Sequence, residues 1–186
     1  MHLNRLAPLV LAVLPALSAP APAQTLPSPE SLLAGASEQG ALMDKYREIL
    51  RNPDADIRHS AFIQLAVVED PLIRQMAYDE AFSASDATLR ALALRYSLFD
   101  RESIIVQYPG SELPPDAYRL VERNYSTGEF VARSGNTRPG RVQGLQVMIE
   151  YNRCMLELAL NDDDMLVGEQ ICAEQRIPIQ VDLRGM

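Results

Sequence analysis

The chain is predicted to be an α+β protein: an N-terminal antiparallel helical-repeat bundle followed by a small antiparallel β-meander closed by a disulfide. Three observations predict this. Residues 54–101 divide without gaps into three 16-residue blocks of similar helical pattern. Past Phe99 the apolar spacing changes from every third or fourth residue to every second. The only two cysteines, Cys154 and Cys172, flank an acidic turn at a spacing that suits a stapled hairpin.

The blocks are Asp54–Glu69, Asp70–Ser85 and Asp86–Arg101. Each opens with Asp at the N-cap position, where a carboxylate accepts from the orphan N–H groups of the first turn. A branched apolar residue and an Arg follow (Ile57-Arg58, Ile73-Arg74, Leu89-Arg90), then Ala and a larger residue (Ala61-Phe62, Ala77-Tyr78, Ala93-Leu94). Pro71 is pre-set for the first helical position. Blocks of this length hold a short helix and a tight turn, so successive helices should pack antiparallel. Ala41–Arg51 supplies a further helix closed by Asn52-Pro53, and Ser31–Ser37 a short one within a linker over 24–40. The D-x-x-[IL]-R-x-x-A pattern resembles HEAT-like α-solenoid repeats over residues 41–101. That resemblance implies a surface for docking another protein.

Arg58, Arg74 and Arg90 recur at one block position and are the candidate interaction residues, a ladder for an acidic partner. The simpler expectation is that each pairs with the Asp four residues before it, a contact of ~0.3–0.5 kcal/mol on a solvated helix. His59, the sole histidine after the first 23 residues, falls mid-helix and reads as a surface or interface side chain.

Residues 102–186 form the β-rich region. Ser103–Tyr108 and Glu129–Arg133 read as strands, Asp116–Arg123 as a short amphipathic helix after Pro114-Pro115, and Ser134–Gly140 as a mobile turn. Four strands follow: Leu145–Tyr151, Arg153–Leu160, Met165–Cys172 and Ile177–Leu183. Pro178 marks the last as an edge strand or strand start. With Asp162–Asp164 as the hairpin loop, Cys154 falls opposite Cys172, so turn chemistry and disulfide support one register.

The first 23 residues have the pattern of a secretory signal: Arg5, an apolar run from Leu6 to Leu17, and Ala21-Pro22-Ala23 before the expected cleavage. About a dozen apolar residues are too few to span a bilayer core, which takes ~20. Cleavage removes Arg5 and no acid, leaving a mature chain one charge more negative than the whole chain's −8. Such a chain is expected outside the cytoplasm, periplasmic or secreted, with no stable membrane insertion once the signal is cleaved. In that compartment two cysteines are a staple rather than a metal or redox pair. The acidity argues against nucleic acid, which needs a basic footprint.

No catalytic, cofactor or metal residue is expected. One histidine cannot build a His-rich metal site, and none of the chain's nucleophiles sits in a Ser–His–Asp or Cys–His pattern. Asp162-Asp163-Asp164 with Glu169 nearby lacks the spacing and central Gly of a calcium loop. Three functions follow: a non-catalytic binding or scaffolding protein whose partner is another envelope protein, which the pattern favours; a glycan or peptide hydrolase using carboxylates such as Glu150 and Glu157; and an acidic inhibitor or immunity-type protein.

Overall fold

The computed structural model describes residues 28–151 and 153–184. The export segment expected at 1–23, with its cleavage site, lies outside them. Four helices precede an eight-stranded antiparallel sheet that curls into a near-barrel, and Cys154 is disulfide-bonded to Cys172.

The helices are α1 (Pro29–Leu50), α2 (Ala55–Leu65), α3 (Pro71–Phe82) and α4 (Ala87–Phe99). Asp54, Asp70 and Asp86 cap the last three, as expected. Asp54 accepts from the Asp56 N–H at 2.9 Å, Asp70 from the Leu72 N–H at 2.8 Å and Asp86 from the Thr88 N–H at 2.9 Å. Each such cap stabilises its helix by about 1 kcal/mol. In place of a linker, a short helix and a break, α1 is one helix from Pro29 onward. Ser28 caps it, Pro29 starts it, and Gly35 and Gly40 are carried inside it. Phe62 lies at the centre of the bundle, edge-on to Tyr78 and Tyr96 with ring centroids 5.7 and 5.8 Å away.

The strands are β1 (Ser103–Val106), β2 (Asp116–Arg123), β3 (Glu129–Ser134), β4 (Asn136–Gln143), β5 (Gln146–Tyr151), β6 (Cys154–Leu160), β7 (Met165–Cys172) and β8 (Gln175–Asp182), each paired with the next. Two expectations are corrected. Asp116–Arg123 is a strand, not a helix: Ala117, Leu120 and Val121 have helical spacing, but Tyr118 and Leu120 alternate into the core between β1 and β3. Residues 134–140 are not a mobile turn. Gly135 (φ 75°) makes the turn and β4 begins at Asn136. Its inward positions are Arg138, Gly140 and Val142, and with only the last of them a branched apolar residue no apolar alternation betrays it. A Cβ on Gly140 would lie 2.3 Å from the Phe130 ring, which fills that space, and the Arg138 guanidinium lies 5.2 Å from the centre of the Tyr118 ring.

The β6–β7 hairpin has the expected register, with Cys154 opposite Cys172 and Leu160 opposite Leu166. Asn161 holds the loop: its N–H donates to the Met165 carbonyl at 2.9 Å and its side-chain oxygen accepts the Met165 N–H at 2.9 Å. Asp164 takes the left-handed position (φ 56°) that closes a three-residue loop. Replacing both cysteines by Ala should cost roughly 3 kcal/mol by loop-closure entropy. The check is a denaturant melt with and without reductant: the wild type should shift on reduction and the double variant should not.

The curl brings β8 back to β1, where Gln107 and Gln180 exchange two backbone hydrogen bonds of 2.8 and 3.0 Å. The next hydrogen-bonded pair in that register would set Pro109 against Pro178, and neither has an N–H to donate. The ladder therefore cannot extend on that side, and one bridge joins β8 to the end of β1. Side chains fill the interior: Ile104, Tyr118, Ile149, Leu156, Leu166 and Ile179 are all fully buried. The helices cap one end. Phe99 of α4 meets Phe130 and Tyr125, Arg95 donates to the Tyr125 and Ser126 carbonyls, and Arg101 donates to the Leu183 carbonyl. One apolar core runs through both halves.

Candidate functional site

The Arg positions are used inside the fold. Arg58 does not pair with Asp54. Its guanidinium bonds the Asn52 and Pro53 carbonyls and, at 2.6 Å, the Asp86 carboxylate at the start of α4. Arg90 reaches the β6–β7 loop, 3.3 Å from the Asn161 carbonyl and 3.3 Å from Asp162. Arg74 is half-buried and makes no salt bridge among the described residues. Asp54, Asp70 and Asp86 each turn a carboxylate oxygen to the backbone as a cap, and among the described residues none of these arginines makes a salt bridge to the Asp four residues before it.

Asp86 carries four partners. One oxygen takes the Thr88 and Leu89 N–H groups; the other takes Arg58 and, at 2.9 Å, the Nε2 of His59. The hydrogen bond from Arg58 holds the carboxyl well below the usual carboxylate range, with the backbone donor and His59 adding to it against the cost of burial. His59 is thus a structural pair for Asp86, at the α2–α4 contact. Because the folded pKa is depressed, this stabilisation is complete above the unfolded carboxylate value near ~4 and is lost as pH falls from there through the lower folded value. Asp86→Ala should cost about 2 kcal/mol at neutral pH, and its deficit relative to wild type should narrow below about pH 4. Urea melts of both proteins across that range provide the measurement.

Other polar groups close the barrel end opposite the helices. The Tyr108 hydroxyl donates to Asp116 at 2.7 Å and lies 3.0 Å from the Gln170 side chain; Arg138 donates to the Ser134 carbonyl. Among the described residues no group of three or more His, Cys, Asp or Glu is placed to hold a metal ion. The Asp162–Asp164 loop instead receives Arg90.

A groove lies on the outer face of β2–β6. Side chains alternate along each strand, so Val131, Pro139, Arg141, Met148, Glu150, Met155 and Glu157 all face away from the core. Glu122 joins them through a β-bulge. Leu120 is opposite the inward Ala132, but the register shifts before Glu122, which is opposite the outward Val131. The extra residue, Val121, re-aims Glu122 from the interior to the surface. The result is a groove of about 600 Å³. Short side chains, Val131 and Pro139, lie between the longer Glu122 and Glu150, with Met148 and Met155 alongside.

The charges of the groove itself are unequal, whereas Arg119 and Arg133, outward and opposite each other on β2 and β3, lie outside its lining. Arg141 donates to Glu129 at 2.8 Å and neutralises it. Arg123 turns back to the Arg101 carbonyl at 2.7 Å. Glu122 and Glu150 make no salt bridge among the described residues, and neither does Glu157 in the adjoining groove of about 320 Å³ that shares Met148. Glu150 and Glu157, the carboxylates singled out from the sequence, lie on neighbouring strands and the same face, opposite Met155 and Met148 respectively. Glu122 and the methionines were not singled out. The signal that could have found Glu122 is the break in the alternation of β2 after Leu120.

Compared with known proteins, the chain matches no family model, no curated protein and no solved structure.

Proposed function

We propose that the chain is a non-catalytic binding protein of the cell envelope that docks a basic, extended segment of another envelope protein on the outer face of β2–β6. The observation that carries this reading is the groove in which Glu122 and Glu150, which make no salt bridge among the described residues, flank Val131 and Pro139. Carboxylates at fixed positions on a rigid sheet suit Lys or Arg side chains, and Met148 and Met155 supply adaptable apolar contact. A barrel filled by its own side chains leaves its outer surface, not its interior, for binding.

The location outside the cytoplasm rests on the signal-like pattern of residues 1–23 and is consistent with the Cys154–Cys172 bond. No helix among the described residues is long and apolar enough to cross a membrane. Residues 41–101 are read as HEAT-like repeats on the strength of the three Asp-capped helices, and their part is to close one end of the barrel. The non-catalytic reading is supported by His59, whose Nε2 is held by Asp86.

The experiment is affinity capture from envelope extract with tagged wild type and with Glu122→Lys/Glu150→Lys, at low and high salt. A stoichiometric protein partner should be captured by the wild type, released by salt and lost with the charge reversal. Capture that ignores the charge reversal would place the interface elsewhere. Release of muropeptides or peptides by the protein would replace this reading with the hydrolase.

A further inference from the structure

The first part of α1 is a helix without support. Every residue from Pro29 to Leu42 is exposed, and the bundle begins only at Met43. A helix of this length is marginal in water on its own, and two internal glycines weaken it by ~1 kcal/mol each. The chain's own packing does not call for them: a Cβ on Gly35 or Gly40 would meet nothing within 4 Å. Gly35 belongs to a regular, largely apolar stripe. Leu32, Gly35, Gln39, Leu42, Tyr46 and Ile49 follow one another at alternating spacings of three and four, the seam of a coiled coil. Leu32 is 58 % exposed, Leu42 42 % and Ile49 41 %. Beyond Leu42 the stripe borders an open groove of about 500 Å³ between α1 and α2, lined by Tyr46, Ile49, Ile57 and Leu65.

We propose that this stripe binds the same stripe of a second copy of the chain, antiparallel about a two-fold axis. The occupant is argued from self-complementarity. An antiparallel pairing centred between Gln39 and Leu42 sets Leu32 against Ile49 of the other copy, Gln39 against Leu42, and Gly35 against Tyr46. Each pairing occurs twice, as an isologous interface requires. Gly35 is then the small residue that lets the Tyr46 ring of the other copy approach the helix backbone. The flanking charges agree. Glu38 of each copy lies beside Lys45 of the other, whereas a parallel pairing would set Glu38 against neutral positions and bring the lysines level. The far end of each stripe enters the groove beside Ile57, so the exposed half of one α1 is covered by the supported half of the other.

Sedimentation of the purified protein from about 1 to about 100 µM tests this, with circular dichroism confirming the fold of each variant. The wild type should pass from one chain to two across that range. Leu42→Glu should weaken association at least about thirtyfold. Lys45→Glu should weaken it roughly tenfold, and Glu38→Lys/Lys45→Glu should restore it. Gly35→Leu separates the two explanations of the glycine: it raises helix propensity, so a merely local role predicts no loss, whereas pairing predicts a loss of association like that of Leu42→Glu. A wild type that remains a monomer at the highest concentration overturns the proposal. So does a dimer indifferent to Leu42→Glu and Gly35→Leu.

Discussion

Gly168→Ala should destabilise the protein by about 4 kcal/mol, a large part of the ~5–15 kcal/mol that holds a domain folded. Gly168 is in the middle of β7, opposite Leu158 on one side and Ile179 on the other. A Cβ there would lie 1.9 Å from the Glu157 carbonyl oxygen, 2.8 Å from its carbonyl carbon and 2.9 Å from the Leu158 Cα. All three are backbone atoms, so no rotamer change gives relief. β6 and β7 must move apart, with loss of ladder hydrogen bonds and of the packing beneath them. Val167→Ala, at an exposed outer position one residue away, is the control and should cost well under half as much. Guanidinium melts of the two variants decide the matter; a deficit below about 1 kcal/mol for Gly168→Ala would falsify the close strand approach.

Phe62→Ala should cost about 4 kcal/mol, through the lost apolar burial and the cavity left behind. Phe62 has no exposed surface, and its ring fills the space between Tyr78 of α3 and Tyr96 of α4. Neither neighbour can collapse into the gap freely. The Tyr78 hydroxyl is tied to Asp100 at 3.0 Å, and burial with that carboxylate beside it holds its ionisation far above the ordinary tyrosine range. The way the loss is distributed matters as much as its size. The core is continuous from Phe62 through Phe99 to Phe130, so helices and sheet should unfold together at a lower denaturant concentration. Far-UV circular dichroism and tyrosine fluorescence, the chain having no Trp, should give coincident transitions. A helical signal that melts by itself while the sheet persists would show two cores.

The features legible in the sequence are those whose cause is local. Asp54, Asp70 and Asp86 cap helices through hydrogen bonds to N–H groups two or three residues on. The β6–β7 register follows from a short loop and a disulfide that constrain the same hairpin. What the sequence hid depends on distant partners. β4 places Arg138 and Gly140 inward because Tyr118 and Phe130, from other strands, supply a ring for the cation and a ring for the empty space. β2 looks helical over its few residues until its two neighbouring strands are in place. Arg58 pairs with Asp86, 28 positions away, and not with Asp54, four positions away, although both are caps, because the packing of α2 on α4 brings the start of α4 beside it. The candidate groove has the same origin: its residues come from five strands and form no motif, and a bulge the alternation rule does not foresee turns Glu122 into it.

The most direct test of the binding face is position-specific photo-crosslinking in envelope extract. A benzophenone side chain is placed at Met155 and at Met148 in the groove, and at Ile105, an exposed outward position on β1 away from the groove. Adducts to one protein partner from positions 155 and 148, and none from 105, are the predicted result. Adducts from 105 alone, or equally from all three, would contradict a binding face on β2–β6.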